Sequence, residues 1–240
     1  MKRRAARWQG GRGGAVRAFA LALLLALAAV APASPDSSAA NAQSSTANFE
    51  GVATCAGSTC HGRSEGNGAV VRQDEIATWQ APSSASGAHS RAYSVLASRR
   101  GRQIAQTLGL GTATSAPACL GCHATYVPQS RRGARFHTSD GVGCESCHGA
   151  AEGWLQVHYE KAASHASNVR AGLVPLEDPQ VRAKICLDCH YGSTDTGQFV
   201  THSMMAAGHP RISFELDLFS SLQQHPTKDA DYARRKGRNR

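Results

Sequence analysis

The chain has 240 residues, of which 41% are hydrophobic, 6% aromatic and 18% charged, and it contains 24 Gly, 11 His and 8 Cys. This length suits one ordinary domain or two small ones, and the composition excludes a collagen, a coiled coil and a polar disordered chain. The formal net charge of +9 comes from the two ends, because residues 34–226 alone sum to −1. A nucleic-acid-binding body is therefore not predicted.

The first 33 residues have the pattern of a secretory signal. Six basic residues precede the apolar run 18–30, and Ala31-Pro32-Ala33 offers a cleavage site, with a later one after residue 42. The run of 13 is shorter than the roughly 20 apolar residues that span a bilayer. We therefore expect export to the periplasm, a flexible linker over residues 34–50 and no membrane span after cleavage. An uncleaved anchor is the alternative.

All eight cysteines fall in pairs, and a histidine directly follows each pair. The first pair has a four-residue spacer and the other three have two residues: Cys55, Cys60 and His61; Cys119, Cys122 and His123; Cys144, Cys147 and His148; Cys186, Cys189 and His190. C-x-x-C-H is the attachment motif of c-type haem, in which two thiols bind the porphyrin covalently and the histidine ligates iron. A disulfide framework and zinc sites are the alternatives, but neither requires histidine at that position four times.

Four covalently attached haems would also explain the poor supply of large apolar side chains. With few aromatic residues the chain builds only a thin core of its own, and porphyrin faces would complete it. In the first motif, the small residues around Gly57 are expected to bulge outward so that both thiols still reach one ring. The predicted fold is mainly α with long irregular connections and little sheet, over residues 51–226, compact and wrapped around the four haems.

Two helices are predicted between the motifs. Apolar residues at helical spacing favour a helix over residues 88–108, with His89 in its first turn. A second helix is predicted over residues 152–165, where Trp154 and His158 would share one face at i, i+4.

Two more helices are predicted in the last third of the chain. Asp178 is suited to be an N-cap and Pro179 to be the first residue of a helix that leads into the fourth motif. An amphipathic segment is predicted over residues 211–222. The last stretch, residues 227–240, is strongly basic and is predicted to be a disordered tail.

The remaining histidines supply the candidate distal ligands of the irons. Six-coordination of all four haems needs four of the seven histidines outside the motifs, and His89, His158, His202 and His209 are the four that we assign. Met204 and Met205 could also ligate, although their apolar setting favours packing. Closed irons would favour simple electron transfer, whereas an open iron would allow substrate chemistry.

The order of these residues resembles that of the tetrahaem cytochrome c-554 family, over roughly residues 50–225. The resemblance rests on these segments: Glu75 and Trp79; His89-x2-Ala92-x3-Leu96; Cys119 to His123; Gly141 to Gly149 followed by Trp154 and His158; and His202-x6-His209-Pro210-Arg211 with Phe214. It implies a compact, mostly helical protein with haems stacked in close pairs. In that family electrons pass from hydroxylamine oxidation towards the membrane chain.

The resemblance also implies a ligand for each haem. His89 would be the distal ligand of the third haem, on His148, and His158 that of the first, on His61. The fourth haem, on His190, would take a ligand from the block that holds His202 and His209. In that family the second haem lacks a distal ligand, which would leave the iron on His123 open. The spare histidine of the block keeps that question open here.

Three functions follow from these alternatives. The first is an exported electron carrier that exchanges electrons with a redox protein donor and acceptor, a quinone-linked membrane cytochrome among the candidates. The second is an enzyme that reduces nitric oxide, nitrite or hydroxylamine at an open haem on His123. The third is a structural subunit that docks on a larger haem assembly through the basic tail.

Overall fold

The computed structural model describes residues 46–66, 71–83, 87–211 and 213–223. Within these ranges the chain forms ten α-helical segments, several single 3-10 turns and no strand, so the prediction of a mainly helical fold is confirmed. The predicted signal segment, most of the predicted linker and the predicted basic tail lie outside these ranges. The helices are α1 Val52–Cys55, α2 Glu75–Gln80, α3 Gly87–Ser90, α4 Arg99–Thr107, α5 Pro117–His123, α6 Glu145–His148, α7 His165–Arg170, α8 Pro179–His190, α9 His202–Ala206 and α10 Leu216–Gln223.

The single helix predicted over residues 88–108 is wrong in its continuity. The structure divides it into α3, a 3-10 turn at Ser94–Ala97 and α4. The break falls at Ser98, whose backbone is extended and whose hydroxyl accepts the N–H of Gly101 at 3.1 Å. A serine that caps a new helix in this way competes with continuation of the preceding one.

The helix predicted over residues 152–165 is also wrong. Only 3-10 turns form at Ala151–Gly153 and Val157–Tyr159, and the next α-helix is α7, which a capping box at Ser164 begins. The predicted pairing of Trp154 with His158 survives, because the two rings lie 5.4 Å apart in an edge-to-face arrangement. The sequence spacing therefore indicated the contact but not the helix type.

The helix predicted to lead into the fourth motif is confirmed. The Asp178 carboxylate accepts the N–H groups of Gln180 and Val181, Pro179 is the first helical residue, and α8 ends at His190. The segment predicted over residues 211–222 becomes helical later, as α10. The Glu215 carboxylate accepts two N–H groups at its start.

The buried apolar cluster of the fold is small. It consists of Leu96, Ala105, Ala113, Leu120 and Ala124, and no large side chain among the described residues is fully buried. Two leucines and three alanines bury little apolar surface, in agreement with the thin core that the composition predicts. No helix in the described ranges is long and apolar enough to cross a bilayer.

Candidate functional site

Three pairs of histidine rings face each other at nearly the same separation. The ring centres lie 6.3 Å apart for His61 and His158, 6.1 Å for His89 and His190, and 6.2 Å for His123 and His209. The first pair is nearly parallel, with 12° between the ring planes. The other two are nearly perpendicular, at 71° and 79°.

This separation matches that of two rings on opposite sides of one metal ion. Imidazole nitrogens bind metals at about 2.0 Å, so two rings on opposite sides of one ion have centres roughly 6 Å apart. In each pair one histidine follows a cysteine pair and the other lies outside the motifs. Residues 86 to 101 positions apart in the sequence therefore meet with the spacing of two axial ligands.

Two of the pairings differ from those that the resemblance implied. His158 faces His61 as expected, but His89 faces His190 rather than His148. The backbone of His89 does lie beside the third motif, since its carbonyl accepts the N–H of Val142 at 3.0 Å. Sequence position thus located the backbone of His89, whereas the direction of its ring selects a different partner.

The second difference concerns His123. The sequence left undecided whether this site has a distal ligand, and in the structure the ring of His209 lies opposite that of His123. The neighbouring candidate His202 is exposed, and no other ring contacts it within the part of the chain that the structure describes. Of the block that holds His202 and His209, only His209 is brought to a motif histidine.

The second ring nitrogen of four of these histidines has an acceptor. Such a contact fixes the Nδ1 atom as the donor and leaves Nε2 for a metal. His190 is oriented differently, because the ring of Phe214 stacks on it at 4.5 Å. The Nδ1 contacts are His61 to Glu75 Oε2 at 2.9 Å, His123 to Ala92 O at 2.8 Å, His158 to Leu155 O at 2.6 Å and His209 to Pro210 O at 2.8 Å.

The electrostatic setting keeps two of the rings neutral. Burial lowers the pKa of His123 and of His190, which favours the uncharged imidazole that ligates metals. Burial raises the pKa of Glu75, but the hydrogen bonds from His61 and from the Gln73 N–H outweigh it, so the pKa lies below the ordinary value. Glu75 is therefore an ionised carboxylate beside a ligand-type histidine.

The eight cysteines are free thiols, and several come together across the motifs. The thiols of Cys55 and Cys144 interact, which raises the pKa of Cys55 and lowers that of Cys144. Cys189 and Cys122 form a second such pair, in which the pKa of Cys189 is raised and that of Cys122 is lowered. The first motif thus adjoins the third, and the second adjoins the fourth.

The long spacer of the first motif keeps the backbone contact of a standard motif. In the third motif the His148 N–H donates to Cys144 O at 3.0 Å, and in the first the His61 N–H donates to Cys55 O at 3.2 Å. The two extra residues are taken up in a turn closed by a bond from Cys60 N to Gly57 O at 2.8 Å. This is the outward bulge that the small spacer residues predict.

Space and an unpaired donor remain beside the first motif. The indole N–H of Trp154 is buried and has no acceptor, and its ring contacts that of His158. A bound group with carboxylates, such as haem with its propionates, would supply an acceptor. A cavity of about 450 Å³ opens nearby; Val52, Ala53, Ala56, Trp79, His137 and Asp140 are among its lining residues.

The residues therefore fit haem better than zinc. Among the described residues no group of three or more His, Cys, Asp or Glu side chains is arranged to hold a metal ion by itself. Each opposed pair would supply two ligands to an iron, and a porphyrin would supply the others. Sequence reasoning missed Glu75 as the partner of His61 and Phe214 as the ring that orients His190, since neither contact has a local sequence signal.

Comparison with known proteins gives one family. Residues 54–149 match the family model described as cytochrome c554 and c-prime. No curated protein and no solved structure matches the chain. The matched segment contains the first three motifs and His89. The fourth motif, His158 and His209 lie after it in the chain.

Proposed function

We propose that this chain, whose residues 54–149 match the cytochrome c554 and c-prime family model, is a c-type cytochrome that carries four haems and transfers electrons between redox partners in the periplasm. The four cysteine–histidine motifs support the number of haems. The signal-like segment 1–33 supports export, since c-type haem is attached outside the cytoplasm.

The residues assigned to each haem come from the motifs and from the opposed rings. The first would be held by Cys55, Cys60 and His61 with His158 opposite; the second by Cys119, Cys122 and His123 with His209; the third by Cys144, Cys147 and His148; the fourth by Cys186, Cys189 and His190 with His89.

The opposed histidines favour electron transfer over substrate chemistry. Haem iron supplies a one-electron couple whose potential depends on its axial ligands and their surroundings. A histidine on each side leaves a small molecule no free position at that site. The Nδ1 contacts hold the rings in place, so that little rearrangement accompanies a change of charge.

The neighbouring thiols support passage of electrons between sites. Cys55 adjoins Cys144 and Cys122 adjoins Cys189, which brings the attachment points of the first and third haems together, and likewise those of the second and fourth. Neighbouring redox centres in one small domain suit a carrier that accepts an electron at one surface and delivers it at another.

The alternative of a reductase with an open iron on His123 is the less favoured one. It needs a free position opposite His123, on the side where the centre of the His209 ring lies 6.2 Å away. The redox protein donor and acceptor, with a quinone-linked membrane cytochrome among the candidates, belong to the proposal. So does the docking of the basic tail on an acidic partner.

The common 6.1–6.3 Å separation of three histidine pairs is the observation that carries the proposal. The test is the exported protein itself, by intact mass, by haem staining after denaturation and by electron paramagnetic resonance with and without nitric oxide. We expect four covalent haems, and low-spin ferric signals that nitric oxide leaves unchanged for the three paired sites. Loss of all colour into acid-acetone, or a high-spin signal traced to the site of His123, would contradict the proposal.

A further inference from the structure

We propose that Glu75 is a positioning residue that sets the reduction potential of the His61 and His158 site below the value it would have with a neutral partner. The inference rests on the proposed haem binding and adds a residue to it. It concerns the opposed pair in which the motif histidine, His61, has a carboxylate rather than a backbone carbonyl at its Nδ1 atom.

The contact itself is short and protected from solvent. Glu75 Oε2 lies 2.9 Å from His61 Nδ1, and the carboxylate is only 13% exposed, against 32% for the imidazole. A hydrogen bond between a charged and a neutral group is stronger than one between neutral groups, and partial burial reduces screening by water. The contact therefore acts strongly on the ring that would ligate iron.

A strained residue holds the other carboxylate oxygen. The N–H of Gln73 donates to Glu75 Oε1 at 3.1 Å. Gln73 has a φ of 67°, and within the described residues no other non-glycine residue has a positive φ. Backbone strain of this kind is retained where the surrounding structure requires it.

The segment that carries Glu75 is joined to the first motif on both sides of the histidine. The Arg63 N–H donates to Gln73 O at 2.9 Å, and the Ile76 N–H donates to His61 O at 3.1 Å. These bonds hold the backbone of Glu75 beside the motif, and the hydrogen bond from His61 Nδ1 to the Glu75 carboxylate restricts rotation of the imidazole.

Three other histidines of the opposed pairs have uncharged partners at Nδ1 and can be compared with His61. The Nδ1 atoms of His123, His158 and His209 all face backbone carbonyls, which are neutral dipoles. A carboxylate draws the Nδ1 proton more strongly, so the ligating nitrogen becomes more electron-rich and favours the ferric over the ferrous iron. Removing the charge while keeping the side-chain shape should raise the potential of that site alone.

The test is a redox titration of the full-chain holoprotein with the substitution Glu75→Gln. We expect one of the four midpoint potentials to move to a more positive value and the other three to stay close to wild type. The matched control is Glu177→Gln, because Glu177 also contacts a histidine, His165, at 2.5 Å, but at an exposed position, and His165 is not one of the opposed histidines. That control should leave all four potentials unchanged.

Electron paramagnetic resonance identifies the haem whose midpoint potential shifts. Near-parallel axial imidazoles give a rhombic low-spin ferric spectrum, whereas near-perpendicular ones give a spectrum dominated by a single large g-value. The His61 and His158 rings are near-parallel, so the rhombic signal should be the one whose titration shifts. An unchanged potential, an equal shift of all four, or a shift confined to the near-perpendicular signals would overturn the proposal.

A second substitution covers the case in which Glu75→Gln yields no holoprotein. Glu75→Asp keeps the charge but withdraws it by one methylene, so we expect a smaller positive shift of the same midpoint; no shift would overturn the proposal. The haem count of the wild-type protein is measured separately. A wild type without four haems refutes the proposed function, whereas a correct haem count with unaltered potentials refutes only the role of Glu75.

Discussion

The buried carboxylate of Glu145 should be a major contributor to the stability of the third motif. It lies in the spacer between Cys144 and Cys147 and is only 4% exposed. Its Oε1 accepts the N–H groups of Glu50 at 2.8 Å and Ala151 at 2.7 Å, and its Oε2 accepts that of Gly51 at 2.7 Å. One side chain thus ties the start of the described chain to the motif helix and to the segment that follows it.

The number of hydrogen bonds sets the expected magnitude. An unsatisfied buried donor costs about 1–3 kcal/mol, so Glu145→Ala, which leaves three donors without an acceptor, should lower the free energy of unfolding by at least about 3 kcal/mol. Glu145→Gln retains one oxygen for two of the donors and turns its amide towards the Gly51 N–H. We expect that substitution to cost about 1–3 kcal/mol.

The assay is urea unfolding of the holoprotein, followed by far-ultraviolet circular dichroism. Glu152→Gln is the control, because Glu152 also accepts a backbone N–H, that of Asn48 at 2.7 Å, but at an exposed position. Exposed substitutions usually change stability by about 0.5 kcal/mol or less. If Glu145→Ala and Glu152→Gln unfold at the same urea concentration, the reasoning from buried acceptors is refuted.

Other substitutions test the ligand assignment and the local structure. His209→Ala should open the site on His123 and produce a high-spin ferric signal that nitric oxide removes, whereas His202→Ala should leave the spectrum unchanged; a reversed result would exchange the roles of the two histidines. Asp178→Ala removes the cap of α8 and should lower the free energy of unfolding by about 1 kcal/mol, measurable by the same urea titration, and no loss would contradict the capping role. Truncation of residues 227–240 should leave the haem content unchanged by mass, since the tail lies outside the proposed haem domain; a truncated protein with fewer haems would contradict that boundary.

The sequence predicted local features well where the chemistry is local. The cysteine–histidine spacing, the Asp178 cap and the contact of Trp154 with His158 depend on residues a few positions apart, and the structure contains the cap and the ring contact. The helix predicted over residues 88–108 failed because apolar periodicity does not register a single capping serine, Ser98. Continuity of a helix depends on side-chain hydrogen bonds that periodicity does not include.

The partner of each motif histidine could not be predicted from position alone. His89 contacts the third motif through its backbone and the fourth through its ring. The rotamer of the His89 side chain decides which motif its ring faces, and no local sequence pattern predicts that rotamer. The sequence indicated Glu75 only as part of the family resemblance. Its hydrogen bond to His61, 14 positions earlier in the chain, has no local sequence signal.

The three opposed pairs overlap along the chain and none is contained within another. Every pair begins before residue 124 and ends after residue 157. Cleavage of the polypeptide anywhere between these positions would separate all three partnerships at once, and the family-matched segment 54–149 contains no complete pair. A fragment ending near residue 149 would therefore retain three attachment motifs but none of the histidines that the structure places opposite them.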